Sequence, residues 1–302
     1  MKTRYVLLTA AKDEEAFIPE VMEAVLRQSI LPVAWFIMDD GSRDKTPEIV
    51  KSFAKKFPFI QLQTAGERAG RNFGSQYKAI MAAYDQAKPL DFDFVAVEDA
   101  DQAPERRDHY ETLLREFHKD PRLGIASGYL YERYKGAWEC RRANSEDSIA
   151  GGSAIFRRQC FEQVGGYTPL YHGGSDWLIQ IDAKMAGWKL LVRPDLHVFH
   201  YRPTSSAGGI WRGMFRAGLM DASFGSHSVF EFLKCCRRVT TPPFLIGSLI
   251  RFSGFTWWKL KGQKPLIRAE ASAFLRREQL AKIRASLAAL AGGRKERSRA
   301  SA

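Results

Sequence analysis

The stretch Ala34-Trp35-Phe36-Ile37-Met38-Asp39-Asp40-Gly41-Ser42-Arg43-Asp44-Lys45-Thr46-Pro47-Glu48 passes from an apolar run into a polar turn and then into a helix start. Ala34 to Met38 is short and bounded by turn-forming residues, which reads as a buried strand. Thr46, Pro47 and Glu48 offer a hydroxyl cap, proline in the first turn and an acid where the helix dipole favours one. A strand feeding a helix through a short acidic turn is one βα unit, and the flanking sequence repeats the pattern. Tyr5 to Ala10 is a strand, followed by a helix that Asp13 caps, running through Gln28 with Phe17, Val21, Ala24 and Val25 on its apolar face. Ile60 to Gln63 is a third strand, Gln76 to Gln86 a helix, and Phe94 to Val97 a fourth strand. Alternation of this kind predicts an α/β fold with a mostly parallel sheet flanked by helices.

Further along, Gly124 to Tyr134 reads as a strand and Lys135 to Ser148 as a charged loop. A glycine-punctuated passage covers Gly151 to Phe156 and Phe161 to Tyr167. A helix from Asp176 to Ala186 closes at Gly187 before a strand at Lys189 to Val192. Beyond Pro203, aromatic and basic residues interleave, a helix spans about Glu270 to Leu290, and a basic, disordered tail ends the chain. The expected boundaries are a first domain over 1–203 (one half over about 1–104, the other over about 105–203), a helical extension over 204–291 and the tail over 292–302.

The 302 residues suffice for a large core. The chain carries 46 Lys and Arg against 34 Asp and Glu, a formal charge of +12, and such a field draws phosphates. The four cysteines have neither zinc spacing nor a Cys-x-x-Cys pair, as in a chain kept in a reducing compartment. The acids at Asp13 to Glu15 come too early for a secretory signal. Pro243 to Trp258, the most apolar stretch, is broken by Arg251 and two glycines, so no bilayer-spanning segment is expected. A cytoplasmic protein follows, peripheral at the inner membrane face if the aromatic and basic residues meet anionic headgroups there. The residues weighed for that contact are Phe252, Phe255, Trp257 and Trp258 beside Arg237, Arg238, Arg251, Lys259 and Lys261.

In open α/β sheets, ligands bind at the carboxyl ends of the strands. Here acids follow three of the first four strands: Asp13-Glu14, Asp39-Asp40, and Glu98-Asp99-Ala100-Asp101. Crowded carboxylates repel one another unless a cation or a donor-rich ligand settles them. Asp39-Asp40-Gly41-Ser42 resembles the signature of the family 2 glycosyltransferases, whose fold is the Rossmann-like, nucleotide-binding GT-A type. Asp99-Ala100-Asp101, with Pro104 after it, is similar to that fold's Asp-x-Asp metal motif. Thr9 to Glu15 resembles the opening nucleotide-binding segment, which usually has Asn where Asp13 stands. Gly165-Gly166-Tyr167 and Gly173 to Trp177 resemble the acceptor-side segment that ends in a Glu-Asp pair. The resemblance covers residues 4 to 202.

It implies inverting transfer of a single sugar from a nucleotide-diphosphate sugar, most often a UDP-sugar, to an acceptor hydroxyl, in surface polysaccharide or glycolipid synthesis. Asp101 and Asp99, with His200, would hold Mn²⁺ or Mg²⁺, and Asp99 would also touch the donor. Ala11, Glu14, Asp39 and Asp40 would line the nucleotide pocket, with Arg68, Arg71 and Lys78 facing the diphosphate. Asp176 would be the catalytic base, with Ser175 and Trp177 on the acceptor side, the acceptor being a saccharide or a lipid-linked saccharide. Two positions depart from the pattern: Ser175 stands where the first acid of the pair is common, and Asp182 where relatives have Arg. An inactive nucleotide-sugar-binding module therefore remains an alternative. A sugar nucleotidyltransferase is another, although Ala10-Ala11-Lys12-Asp13 is not its glycine-rich phosphate loop. Nucleic acid is not an expected partner, because the strand-end acids would repel its backbone.

Overall fold

A computed structural model describes residues 3–64, 73–134, 136–141, 144–202, 209–240 and 243–300, with backbone alone for residue 73 and residues 290–300. The chain divides into two compact units, Met1–Thr204 and Ser205–Ala302.

In chain order the first unit contains β1 (Tyr5–Ala11), α1 (Ile18–Leu26), β2 (Ala34–Asp39), α2 (Thr46–Ala54), β3 (Ile60–Thr64), α3 (Phe73–Ala87) and β4 (Phe94–Glu98). It continues with β5 (Gln102–Pro104), α4 (His109–Lys119), β6 (Leu123–Tyr134), β7 (Ala137–Cys140), β8 (Ser153–Arg157), α5 (Arg158–Gln163), α6 (Ser175–Met185) and β9 (Lys189–His200). The strands form one sheet in the order β3-β2-β1-β4-β8-β6-β9-β5, with β7 paired to β6. The first four strands in that order are mutually parallel, as the βα repeat predicts. β8 runs antiparallel to both β4 and β6, and β9 is parallel to β6.

Both faces of this sheet are covered, so its central strands read as continuous apolar runs. Val6, Leu8, Phe36 and Val95 pack on one side with Ile80 and Tyr84 of α3. Leu7, Trp35, Ile37 and Ala96 pack on the other with Met22 of α1 and Leu113 and Phe117 of α4. Two strands escaped the sequence reading. β5 has only three residues, below the length at which periodicity is legible. β7 lies in the expected loop and pairs with the end of β6, at Tyr134↔Ala137 and Tyr131↔Cys140. Its polar composition hides it, because that hairpin is mostly exposed.

The second unit consists of α7 (Ile210–Ser223), α8 (Ser228–Arg237), α9 (Phe244–Leu260) and α10 (Ala269–Ala300). α10 continues through the segment read as a disordered tail, where alanine, arginine, lysine and glutamate all favour helix. Glycines set the contact between α7 and α9: a Cβ on Gly218 would overlap the Arg251 carbonyl, and one on Gly254 would overlap the Phe215 carbonyl. Phe255 and Trp258, weighed for membrane contact, are buried with Ala222 in the small core of this unit. Replacing Gly254 by Val should force the two helix backbones apart at a cost of about 1–3 kcal/mol. A urea titration with an unchanged midpoint would contradict the close approach.

Candidate active site

The first acidic segments are tied together by reciprocal bonds between side chains and backbone. The loop after β1 and the loop after β2 run side by side because those strands are parallel neighbours, with Ala11 opposite Asp39. Asp13 N–H donates to Ser42 Oγ at 3.0 Å, and Arg43 N–H donates back to Asp13 Oδ1 at 2.8 Å. Glu15 N–H donates to Asp44 Oδ2, while Lys45 N–H donates to Glu15 Oε2. Asp44 also accepts the Thr46 N–H and hydroxyl, and Thr46 Oγ1 accepts the Glu14 N–H. Asp13 therefore does not cap α1, as its sequence position suggested. It sits at φ +55°, where a short polar side chain is tolerated.

With Asp13, Asp44 and Glu15 engaged, the remaining acids point elsewhere. Asp39 accepts the Ser42 N–H at 3.1 Å and is buried. Asp40 is also buried, its N–H donating to the Ala11 carbonyl, and its Oδ1 has no hydrogen-bond partner among the described residues. A buried acceptor without a donor is costly in the native state, and a ligand's N–H or hydroxyl would satisfy it.

On the other side of β1, β4 ends in the second acidic cluster. Glu98 bridges the Tyr110 and Ser153 hydroxyls, and burial holds its carboxyl well above the usual range. It joins strands and helix from within the core. Asp99 accepts from Gln76 at 2.7 Å and from Gln102 at 3.1 Å, and its N–H donates to the Gly152 carbonyl. Burial, and then the charge of Asp101, raise the Asp99 carboxyl far above its ordinary value, with Glu14 and Asp176 adding to the repulsion.

The short strand β5 is what brings His200 to this cluster. Its antiparallel pairing with β9 sets Gln102 opposite His200, and the Tyr201 N–H donates to the Asp101 carbonyl. His200 Nε2 stands 3.7 Å from Asp101 Oδ1, while Nδ1 is 3.3 Å from Glu132 Oε1 on β6. Burial alone would lower the imidazole pKa, but Asp101 and Glu132 outweigh it and raise it to about 9. Arg202 pairs with Glu14 and lies 3.8 Å from Asp101 Oδ2. Among the described residues no three His, Cys, Asp or Glu side chains stand at metal-holding geometry. The donor chemistry nonetheless suits a hard divalent cation: two mutually repelling carboxylates, and an imidazole oriented by a second carboxylate.

Asp176 enters from the start of α6. Gln180, one turn on, exchanges two hydrogen bonds with Ile149 and donates to the Asp176 carbonyl, so α6 is clamped to the segment leading into β8. The carboxyl of Asp176 lies against Gly151, where a Cβ would overlap it, and a Cβ on Gly152 would overlap Asp99. Burial raises the Asp176 carboxyl pKa. The phenols of Tyr77 and Tyr167, with ring centroids 4.6 Å apart, both feel its charge.

The sequence-derived residues thus divide. Ala11, Glu14, Asp39, Asp40, Asp99, Asp101, His200 and Asp176 all lie at the carboxyl edge of the sheet or on the segments that close over it. Ser175 is buried and its hydroxyl accepts the Leu170 N–H, bracing the preceding loop. Trp177 is half-buried and Lys78 is on the exposed side of α3. Arg68 and Arg71 lie outside the described residues. Gln76, Gln102, Glu132, Arg202, Gly151 and Gly152 were not singled out. Only the Gly151-Gly152 doublet, just before a strand, offered a sequence signal, since paired glycines there suggest close approach.

The mostly parallel sheet flanked by helices matches the GT-A glycosyltransferase fold. Residues 7–174 match the model of Glycosyl transferase family 2, more than half of the chain, and the chain belongs to that family. A 4,4'-diaponeurosporenoate glycosyltransferase of Staphylococcus aureus is 25% identical over 133 residues, which is 44% of this chain and 33% of the relative. The chain therefore matches about a third of the length of that curated relative. The solved mannosyltransferase PcManGT from Pyrobaculum calidifontis, in complex with GDP-Man and Mn²⁺, superposes with TM-score 0.55 at 17% identity. That match covers 94% of this chain and 81% of the other. TarS of S. aureus with UDP-GlcNAc gives 0.54 at 11% identity, over 90% and 78% of the two chains.

Replacing Asp44 by Ala removes acceptors from three donors at once and should cost about 0.5–2 kcal/mol, the range of lost helix caps. Thermal denaturation checks the value, and an unaltered midpoint would show that the two loops are not held by these bonds.

Proposed function

We propose that the chain transfers a single sugar from a nucleotide-diphosphate sugar, with a UDP-sugar the first choice, to an acceptor hydroxyl with inversion at the anomeric carbon. The observation that carries this reading is the gathering of Asp101, Glu14 and Asp176 around Asp99 at the ends of β1, β4 and the start of α6, with Gly152 packed against Asp99 and Gly151 against Asp176. The family match and the nucleotide sugars bound in the similar solved structures support the donor class. The acceptor in this reading is a saccharide or a lipid-linked saccharide, reached at an anionic membrane surface.

Asp101, Asp99 and His200 would hold a Mn²⁺ or Mg²⁺ ion, which when bound neutralises the departing diphosphate as a Lewis acid. Glu132 stands by Nδ1 of His200 and leaves Nε2 turned toward Asp101 as the ligand atom, and Gln76 and Gln102 fix the Asp99 carboxylate. Asp39 and Asp40 take the base and ribose of the donor, the bare Oδ1 of Asp40 accepting one ligand proton. Arg202 supplies a positive charge beside Glu14 and Asp101, to which Arg68 and Arg71 would add. Asp176 removes the acceptor's proton as that oxygen attacks the anomeric carbon and the bond to the diphosphate oxygen breaks. Its partial desolvation makes it a stronger base than an exposed aspartate.

Asp176→Asn should lower transfer by about 10²–10⁴-fold while leaving donor binding intact. Radiolabelled sugar transfer paired with a nucleotide thermal-shift assay measures both, and a variant with normal turnover removes Asp176 from the reaction. Asp101→Ala should abolish the part of the nucleotide-induced thermal shift that depends on Mn²⁺. The base must be ionised to work, so a raised carboxyl places the acid limb of the kcat profile above the ordinary aspartate range. A limb at the ordinary value would contradict the desolvated base.

A further inference from the structure

A helix on a water-facing protein turns its apolar stripe inward and its charges outward. α8 and α9 do the reverse. On α9 the buried side carries Gly247, Ser248, Arg251 and Gly254 along with Phe255 and Trp258. Its exposed side carries Leu245, Ile246, Leu249, Trp257 and Leu260, each more than half exposed. On α8 the buried residues are Glu231 and Cys235, whereas Val229, Phe232 and Leu233 face out.

The inward charges engage one another. Arg251 donates to Asp221 and, at 3.0 Å, to Glu231, while Lys234 Nζ lies 2.9 Å from Asp221. Burial would raise Asp221, but Lys234 and Arg251 outweigh it and hold the carboxyl below its ordinary value. From Gly209 to Arg268, Asp221 and Glu231 are the only acids in the sequence. Arg212, Arg237, Lys259, Lys261 and Lys264 are exposed, so the outward charge of these helices is wholly basic. Lys261 Nζ sits 4.8 Å from the Trp257 ring centroid, a pairing suited to the boundary between headgroups and acyl chains.

We infer that the outward side of α8 and α9 is a docking surface for an anionic lipid bilayer, entering one leaflet without crossing it. The seventeen residues of α9 span about 25 Å, short of a hydrocarbon core. Among the described residues no helix is long and apolar enough to cross a membrane. A contiguous apolar surface of this kind requires a cover. A second copy of the chain would bring two basic fringes together, whereas an anionic leaflet supplies both the apolar phase and the counter-charge. The surface deepens the membrane part of the proposed function and does not depend on the chemistry at Asp176. It also replaces the aromatic set read from sequence, because Phe255 and Trp258 face inward.

The test is sedimentation of the full chain with phosphatidylcholine vesicles, with and without phosphatidylglycerol, alongside a UDP and Mn²⁺ thermal shift on the same samples. The chain should pellet with the anionic vesicles. Leu249→Glu combined with Trp257→Glu should weaken that partition about tenfold or more, with circular dichroism and the nucleotide shift unchanged. Lys259→Glu with Lys261→Glu should weaken it too, with every apolar side chain left in place. Vesicle binding without a nucleotide shift supports the docking surface and counts against the donor reading instead. The inference is overturned if the chain stays in solution with anionic vesicles, or if the apolar double variant binds them undiminished. It is equally overturned if analytical ultracentrifugation shows a dimer that this variant abolishes while vesicles are ignored.

Discussion

Carboxylates crowded at the carboxyl edge of a parallel sheet impose the constraint that the rest of the first unit answers. Parallel strands deliver every strand end to the same edge, so acids after β1, β2 and β4 meet by topology. Left alone they would repel and destabilise the fold. Some of the acids are discharged locally: Asp13, Glu15 and Asp44 exchange hydrogen bonds with the facing loop's backbone, and Glu98 is buried under two hydroxyls. Others are matched by cations, Glu14 by Arg202 and Asp101 by His200 and Arg202. Asp99 and Asp176 remain raised, and Asp40 keeps a bare oxygen. What is left over is a site short of positive charge and of donors, which in the proposed function a metal-bound nucleotide would supply.

Packing at the base of that site is equally constrained. The backbone of Gly151 and Gly152 runs so close to Asp176 and Asp99 that neither glycine has room for a side chain. The two carboxylates are therefore held against adjoining links of a single turn, and the Gly152 carbonyl accepts the Asp99 N–H. This turn leads into β8, which runs antiparallel to β4 and β6 and is gripped through Gln180. The second unit shows the opposite economy. Its charges are gathered inside around Arg251, and glycines bring α7 and α9 together, while leucine, isoleucine and tryptophan are left outside.

Much of the first unit was legible because one-dimensional signals sufficed. Strands such as Ala34–Asp39 are buried on both faces and read as unbroken apolar runs, and the helices carry ordinary periodicity. The acids at strand ends were legible for the same reason, since topology fixes where strand ends go. Asp13 misled because its carboxylate serves the facing loop and not the following helix. The partners of Asp99 and His200 were not legible: Gln76 and Glu132 are separated from them by 23 and 68 residues. Which aromatics of α9 turn inward was not legible, because composition does not say which side of an apolar helix faces the core, and here Arg251, Phe255 and Trp258 are the buried ones.

The order of residues alone determined the βα repeat, the acids after β1, β2 and β4 and the glycine-rich segment before α6, because those depend on local propensity and on a rule of sheet topology. Tertiary structure alone decided which acids meet a cation and which are held with raised carboxyls. Hydrogen bonds and ion pairs between distant segments act only once the chain has closed, and their strength depends on burial that no single segment possesses by itself.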